Sequence, residues 1–61
     1  MSMNRFQIEN VMRNLAMSQG MYGRMLDQIY SAPEDEQEMF WENMEAQNFG
    51  SDLDVVLFLE G

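Results

Sequence analysis

The sequence predicts an all-α fold, with residues 1–61 forming one small helical domain. Apolar residues recur at helical spacing through the first half, and the sole proline, Pro33, separates two amphipathic segments. Helix-capping residues stand before the second and third predicted helices. Because 46% of the 61 residues are hydrophobic, a packed core is expected. The predicted order is a long N-terminal helix, an acidic amphipathic second helix and a short C-terminal helix.

The first helix is predicted to run without a break from Asn4 to Tyr30. At about 100° per residue its apolar positions form one stripe that keeps the same phase throughout. Two independent helices would share a phase only by accident, so one helix roughly 40 Å long is favoured. The stripe consists of Ile8, Val11, Met12, Leu15, Ala16, Tyr22, Met25, Leu26, Ile29 and Tyr30.

Two glycines are the weak point of that helix. Gly20 and Gly23 each cost about 1 kcal/mol relative to alanine inside a helix. A kink or short break at Gly20 is therefore the alternative. If the helix is unbroken, Gly23 lies at the edge of the stripe, where a missing side chain lets another helix approach closely. Gly20 lies on the outer face, where packing within one monomer does not explain it.

The second helix is predicted to begin after Ser31 and to run to about Gln47 or Asn48. Ser31 is a candidate N-cap, Pro33 suits the first turn, and Glu34 stands at the capping-box position. Gly50 is a natural stop, with Phe49 expected to fold back onto the core. The apolar side of this helix comprises Phe40, Trp41 and Met44.

The last segment is compatible with a strand or a helix. The run Val55–Leu59 is continuously apolar and has strand propensity. Ser51 and Asp54, however, repeat the spacing of a helix cap. A lone strand has nothing to pair with in this chain, so a short C-terminal helix is favoured.

Charge is divided unevenly along the chain. The net charge is −8. The three basic residues, Arg5, Arg13 and Arg24, all lie in the first half, and every charged residue after Pro33 is acidic. This balance argues against direct binding to nucleic acid or to an anionic membrane, and it suits a basic protein surface. The acids after Pro33 are Glu34, Asp35, Glu36, Glu38, Glu42, Glu45, Asp52, Asp54 and Glu60.

An enzyme is not expected. Without histidine or cysteine, the usual general bases, activated nucleophiles and zinc ligands are missing. Acid pairs such as Glu34 and Glu38 are far more often a solvated helix face than a catalytic couple. We therefore expect no cofactor and no metal. The absence of a signal-peptide core or a membrane-spanning stretch leads us to expect a cytoplasmic location.

An acidic stripe on the second helix is the candidate partner-binding site. Its members fall within about 80° of one another at helical periodicity. One interpretation is a solubility device, and the other is a contact with a basic groove on a partner, such as a host nucleic-acid-binding protein. The acidic stripe consists of Glu34, Glu38, Glu42 and Glu45.

A second group, on the outer face of the first helix, is the candidate self-association site. Phe6, Met17 and Met21 project away from the apolar stripe, with Gly20 between the two methionines. Exposed apolar residues at this spacing favour a helix-in-groove contact or a homo-oligomer. The alternative is that a kink at Gly20 turns them inward.

The segment Leu15–Leu26 reads Leu-Ala-Met-Ser-Gln-Gly-Met-Tyr-Gly-Arg-Met-Leu. It resembles a pattern in small hypothetical proteins of bacterial phages and conjugative elements, which also have an acidic middle. The counterparts of their other motifs are Ala46–Phe49 and Asp54–Glu60, while Met21 stands where the group more often has an aromatic. The resemblance implies an accessory gene of a mobile element, where host-directed inhibitors are common. The leading hypothesis is such an inhibitor of a host nucleic-acid-handling protein, and the alternative is a structural or self-assembling helical module.

Overall fold

A computed structural model describes residues 2–61 as four α-helices, and the all-α prediction is confirmed. They are α1 (Arg5–Ser18), α2 (Gly20–Ser31), α3 (Glu34–Ala46) and α4 (Asp52–Glu60). Helix α1 is central, because it packs against each of the other three, and α2 also contacts α3. Asn4 and Gln7 start α1 with a reciprocal capping box, in which each backbone N–H donates to the other side chain.

The unbroken helix from Asn4 to Tyr30 is wrong. Gln19 adopts an extended conformation (φ −137°, ψ 112°), and α2 folds back so that Tyr30 contacts Arg13 in the middle of α1. The longest dimension of the molecule is 30 Å, too short for the predicted rod of about 40 Å. The apolar stripe keeps its phase because each half is buried against the other helices. The break therefore lies one residue before the glycine at which the alternative placed it.

The corner at Gln19 preserves backbone hydrogen bonding. The Gln19 N–H donates to the Leu15 carbonyl (2.8 Å), and the Gln19 carbonyl accepts from the Tyr22 N–H (3.1 Å). One extended residue therefore reverses the chain at little cost in unpaired polar groups. Folding back also buries Ile8 and Leu26 in one core, which a straight helix would not achieve.

The expected close approach at Gly23 is not found. Neither Gly20 nor Gly23 has a positive φ, and no atom of residues 2–61 outside their local helix lies within 4 Å of where a Cβ would stand. Helix α2 instead presents Tyr22 and Leu26 to the interior. Packing within this chain therefore does not require a glycine at either position.

Ser31 does not cap the second predicted helix. It is the last residue of α2, and α3 begins at Glu34 after Pro33, which supplies no side-chain cap. The junction is held by Gln37, whose Nε2 donates to the carbonyls of Ala32 (2.8 Å) and Tyr30 (3.2 Å). The Gln37 side chain of α3 thus provides hydrogen bonds to carbonyls at the C-terminal end of α2.

Helix α3 ends differently from the prediction. Its last residue is Ala46, and the left-handed backbone position that follows is Asn48 (φ 56°) rather than Gly50. Asn is one of the few residues that tolerate this region. Phe49 is buried as predicted, and its carbonyl accepts from the Met3 N–H at 3.0 Å. The N-terminal segment is therefore fixed against this loop.

The C-terminal helix is confirmed. Ser51 is the N-cap of α4, and its side chain accepts from the Asp54 N–H at 3.4 Å. The Asp54 carboxylate in turn accepts from the Gly50 N–H at 2.9 Å. Phe58 stacks edge-on against Phe49, with ring centroids 5.4 Å apart.

The core lies where α1 meets the other helices. Trp41, Tyr22, Ile8, Met12 and Val55 have almost no exposed surface. The predicted stripe positions of α1 and the predicted apolar side of α3 are buried or half-buried. The main cluster consists of Met3, Ile8, Val11, Met12, Leu26, Trp41, Met44, Phe49 and Val55.

Candidate partner-binding surfaces

The acidic stripe forms one side of α3. Glu34, Glu38 and Glu42 are exposed, while Glu45 is half-buried. Helix α3 is anchored to the core through Trp41, which is 1% exposed and stacks edge-on against Phe40. The stripe is therefore displayed on a helix whose rotation about its axis is set by packing.

Arg5 lies beside this stripe. This proximity was not predicted from the sequence. Together with Trp41, Arg5 shares a cleft of about 320 Å³ with Glu38, Glu42 and Glu45. Among residues 2–61 it forms no ion pair within 4.0 Å, and its Nε has no hydrogen-bond partner. The guanidinium lies 5.4 Å from the centre of the Phe6 ring. One positive charge thus offsets part of the stripe, and Glu34 stands outside the cleft.

A polar cluster of Glu9, Arg13 and Tyr30 joins α1 to α2. Arg13 Nη2 lies 3.5 Å from Glu9 Oε2, and both Arg13 Nε and Nη2 donate to the Tyr30 hydroxyl at 3.3 Å. The Tyr30 hydroxyl donates to Glu9 Oε2. Tyr30 was predicted to lie on the apolar stripe, yet the residue is 41% exposed and its hydroxyl is hydrogen-bonded.

Two members of this cluster, Arg13 and Tyr30, have raised pKa values. Burial, reinforced by the hydrogen bond to Glu9, raises the pKa of Tyr30. The hydrogen bond to Tyr30, with the nearby negative charge, raises the pKa of Arg13. Neither group titrates near neutral pH, and their hydrogen bonds link α1 to α2.

The candidate self-association residues remain at the surface. Phe6, Met17 and Met21 are 68%, 86% and 55% exposed, and Gly20 is exposed as well. The alternative that a break turns these side chains inward is therefore wrong. They are not one compact patch, because Phe6 and Met17 are 11 residues apart, roughly 16 Å along α1.

A second exposed apolar surface, on α4, was not predicted. Leu53 and Leu57 are exposed on the side opposite buried Val55, and Phe58 is 48% exposed. A helix that is apolar on every side is normally buried. The signal in the sequence is the continuous apolar run Val55–Leu59, because a helix cannot bury five consecutive apolar residues on one face.

An apolar groove separates α4 from the α2–α3 pair. Across the described chain the backbone of α4 comes close, among the helices, only to α1. The space beside it is an open groove of about 390 Å³. Its apolar walls are Met25, Ile29, Phe40, Met44, Phe58 and Leu59.

Residues 2–61 contain no cluster of three potential metal ligands. No helix there is long and apolar enough to cross a membrane.

The chain matches no family model, no curated protein and no solved structure. The resemblance to phage and conjugative-element proteins therefore stays a prediction. Function rests on what the surfaces can bind.

Proposed function

We propose that this chain is a non-enzymatic protein-binding module whose acidic stripe contacts a basic surface on its partner. We further propose that the partner is a host nucleic-acid-handling protein and that the chain inhibits it on behalf of a phage or mobile element. The observation that carries the proposal is the exposure of Glu34, Glu38 and Glu42 on a helix without a basic residue. Because the opposing contacts of α3 are in the core, binding requires no unfolding.

The spacing of the carboxylates supports a groove that normally holds nucleic acid. Stripe residues four positions apart rise about 6 Å along the helix. A nucleic-acid strand in a duplex carries one phosphate per about 3.4 Å. Glu34, Glu38 and Glu42 therefore match roughly every second phosphate. Like charges at this spacing cost a few tenths of a kcal/mol per pair, and a basic partner relieves that cost.

Charge reversal on the stripe tests the proposal. In Glu38→Lys/Glu42→Lys two of the three exposed members change sign, and capture of partner proteins from a lysate of the source cells should be lost. The matched control is Asp27→Lys/Glu60→Lys, which makes the same change in net charge at exposed positions outside the stripe. Circular dichroism and Trp41 fluorescence should show both variants folded. Capture by the native chain should weaken at high salt, since contacts between exposed charges are screened.

Two outcomes of the capture experiment would contradict the proposal. If the stripe variant engages the same protein at native affinity, the stripe only confers solubility. If the control variant loses binding equally, net charge alone explains the association. Identification of the captured protein as one that binds nucleic acid, and competition by that nucleic acid, would support the specific target class.

A self-assembling helical module is the second candidate, because Phe6, Met17 and Met21 stay exposed despite the break in the helix. Changing all three to polar residues should then dissociate a dimer without unfolding it. Sedimentation that shows a folded monomer at high micromolar concentration would rule this candidate out.

A further inference from the structure

The apolar groove beside α4 is a second binding surface. We propose that it receives an amphipathic helix from another protein, with apolar residues facing the groove and lysine or arginine flanking them. The proposal concerns a different face from the acidic stripe, so either surface can fail its test without the other.

The groove has the volume and the apolar lining of a binding cleft. Its volume of about 390 Å³ lies within the range typical of ligand clefts, and one side is open. Half-buried Met25 contributes a flexible side chain that can adapt to a partner, buried Met44 forms the floor, and Phe40 and Phe58 contribute aromatic walls. Binding modes of this kind use apolar anchors at positions i, i+3 or i+4, and i+7 of the incoming helix.

The walls of the groove are incompletely buried. Met25, Ile29, Phe40 and Leu59 are half-buried, and Phe58 is 48% exposed. They remain so because α4 packs on α1 and, over residues 2–61, makes no close backbone contact with α2 or α3. An inserted helix would complete the burial of side chains from α2, α3 and α4 together, a gain that rises with the apolar area covered.

Charge determines the occupant. Among the described residues, Glu36 is the one charged side chain that lines the groove. A second copy of this chain would bring another net charge of −8, and its own α4 carries Asp52, Asp54 and Glu60 without a basic residue. Like charges at an interface suppress association, whereas a cationic helix is attracted. The complementary partner is therefore a basic amphipathic helix rather than this chain itself.

The groove and the stripe lie on opposite sides of α3. At about 100° per residue, Glu36 and Phe40 stand roughly 180° around the helix from the centre of the stripe. No stripe residue lines the groove within the described chain. Changes at one surface can therefore be made without altering the other.

Binding of a designed peptide tests the proposal on the full chain. The probe is a fluorescently labelled helical peptide of leucine and lysine, with leucine at i, i+3, i+4 and i+7 spacing. A scrambled peptide of identical composition is its control. Anisotropy is measured at about 150 mM salt, where the screening length is about 8 Å. The amphipathic peptide should bind at least about tenfold more tightly than the scrambled one, because only it presents a continuous apolar face.

Three variants locate the binding. Glu36→Lys should weaken binding of the amphipathic peptide about three- to tenfold. Asp35→Lys makes the same charge change in the same first turn of α3 but does not line the groove, so its effect should stay below about twofold. Ala32→Phe places a ring in the groove at a position whose extended backbone (φ −75°, ψ 157°) accepts any side chain, and should weaken binding by about tenfold or more. Circular dichroism confirms that each variant is folded.

Several results would overturn the proposal. Equal affinity for the two peptides would show attraction by charge alone, and equal effects of Glu36→Lys and Asp35→Lys would show the same. Unchanged binding in Ala32→Phe would place the peptide elsewhere. Sedimentation showing a dimer that Ala32→Phe dissociates would assign the groove to a second copy.

Discussion

The hydroxyl of Tyr22 offers the sharpest test of the packing. Tyr22 is fully buried, and within residues 2–61 its hydroxyl has no hydrogen-bond partner. A buried unpaired polar group costs about 1–3 kcal/mol relative to a paired or solvated one. Tyr22→Phe removes that oxygen and keeps the ring. We therefore expect the variant to be more stable than the native chain.

The magnitude follows from two opposing terms. Removal of the unpaired hydroxyl raises the free energy of unfolding by about 1–3 kcal/mol, and the small void left by one atom lowers it by a few tenths of a kcal/mol. A net gain of about 1 kcal/mol corresponds to a rise in melting temperature of about 4–8 °C for a domain of this size. Tyr30→Phe is the matched control, because the same atom there bonds to Glu9 and Arg13. It should destabilise by up to about 1 kcal/mol, discounted because Tyr30 is 41% exposed.

Urea unfolding followed by fluorescence measures both variants. Trp41, the only tryptophan, is 1% exposed in the core and reports directly on loss of packing. The two substitutions should shift the unfolding midpoint in opposite directions with unchanged slope. A loss of more than about 0.5 kcal/mol in Tyr22→Phe would show that its hydroxyl is satisfied and would refute the reasoning.

Three further predictions follow from local structure. Since the pKa of Tyr30 is raised in the folded state, mainly by burial, its contribution to stability is present below about pH 10 and is lost as pH rises through the folded value. The melting temperature of the native chain should therefore fall above about pH 10 more steeply than that of Tyr30→Phe. Asn48→Ala should destabilise by about 1–2 kcal/mol because Asn48 is left-handed, and Asn48→Gly by less; equal losses would assign the cost to its side-chain bonds with Ser2 and Ala46. Gly23→Ala should stabilise by up to about 1 kcal/mol in thermal unfolding, since a Cβ there meets no described atom within 4 Å, and a clear loss would indicate a contact outside this chain.

Helical periodicity was enough to predict the fold class and most of the core. Met12 and Trp41 fall on the predicted apolar faces and are almost wholly buried. Apolar spacing reports which side of a helix is buried, because each helix must cover one stripe. The same local logic identified Ser51 as the cap of α4.

Helical periodicity could not predict the break at Gln19, because the phase of the apolar stripe alone does not distinguish one helix from two. A stripe that continues in phase is satisfied by a straight helix or by two helices that share a core. The choice is made by what the stripe can be buried against, which depends on α3 and α4. Arg5 was missed beside the stripe for a related reason: it lies more than 30 positions away in sequence, and only tertiary packing brings it there.

Small size links the exposed surfaces to stability. A chain of about 60 residues buries only about 60% of its unfolded surface, so its stability is marginal. This chain also leaves Leu53, Leu57 and Phe58 exposed on α4. Phe58 lines the groove together with side chains of α2 and α3, so a partner that fits the groove would bind the folded chain and not the unfolded one. At a hundred times its dissociation constant, such a partner adds about 2.7 kcal/mol to stability. Binding of the proposed partner beside α4 would therefore also stabilise the fold.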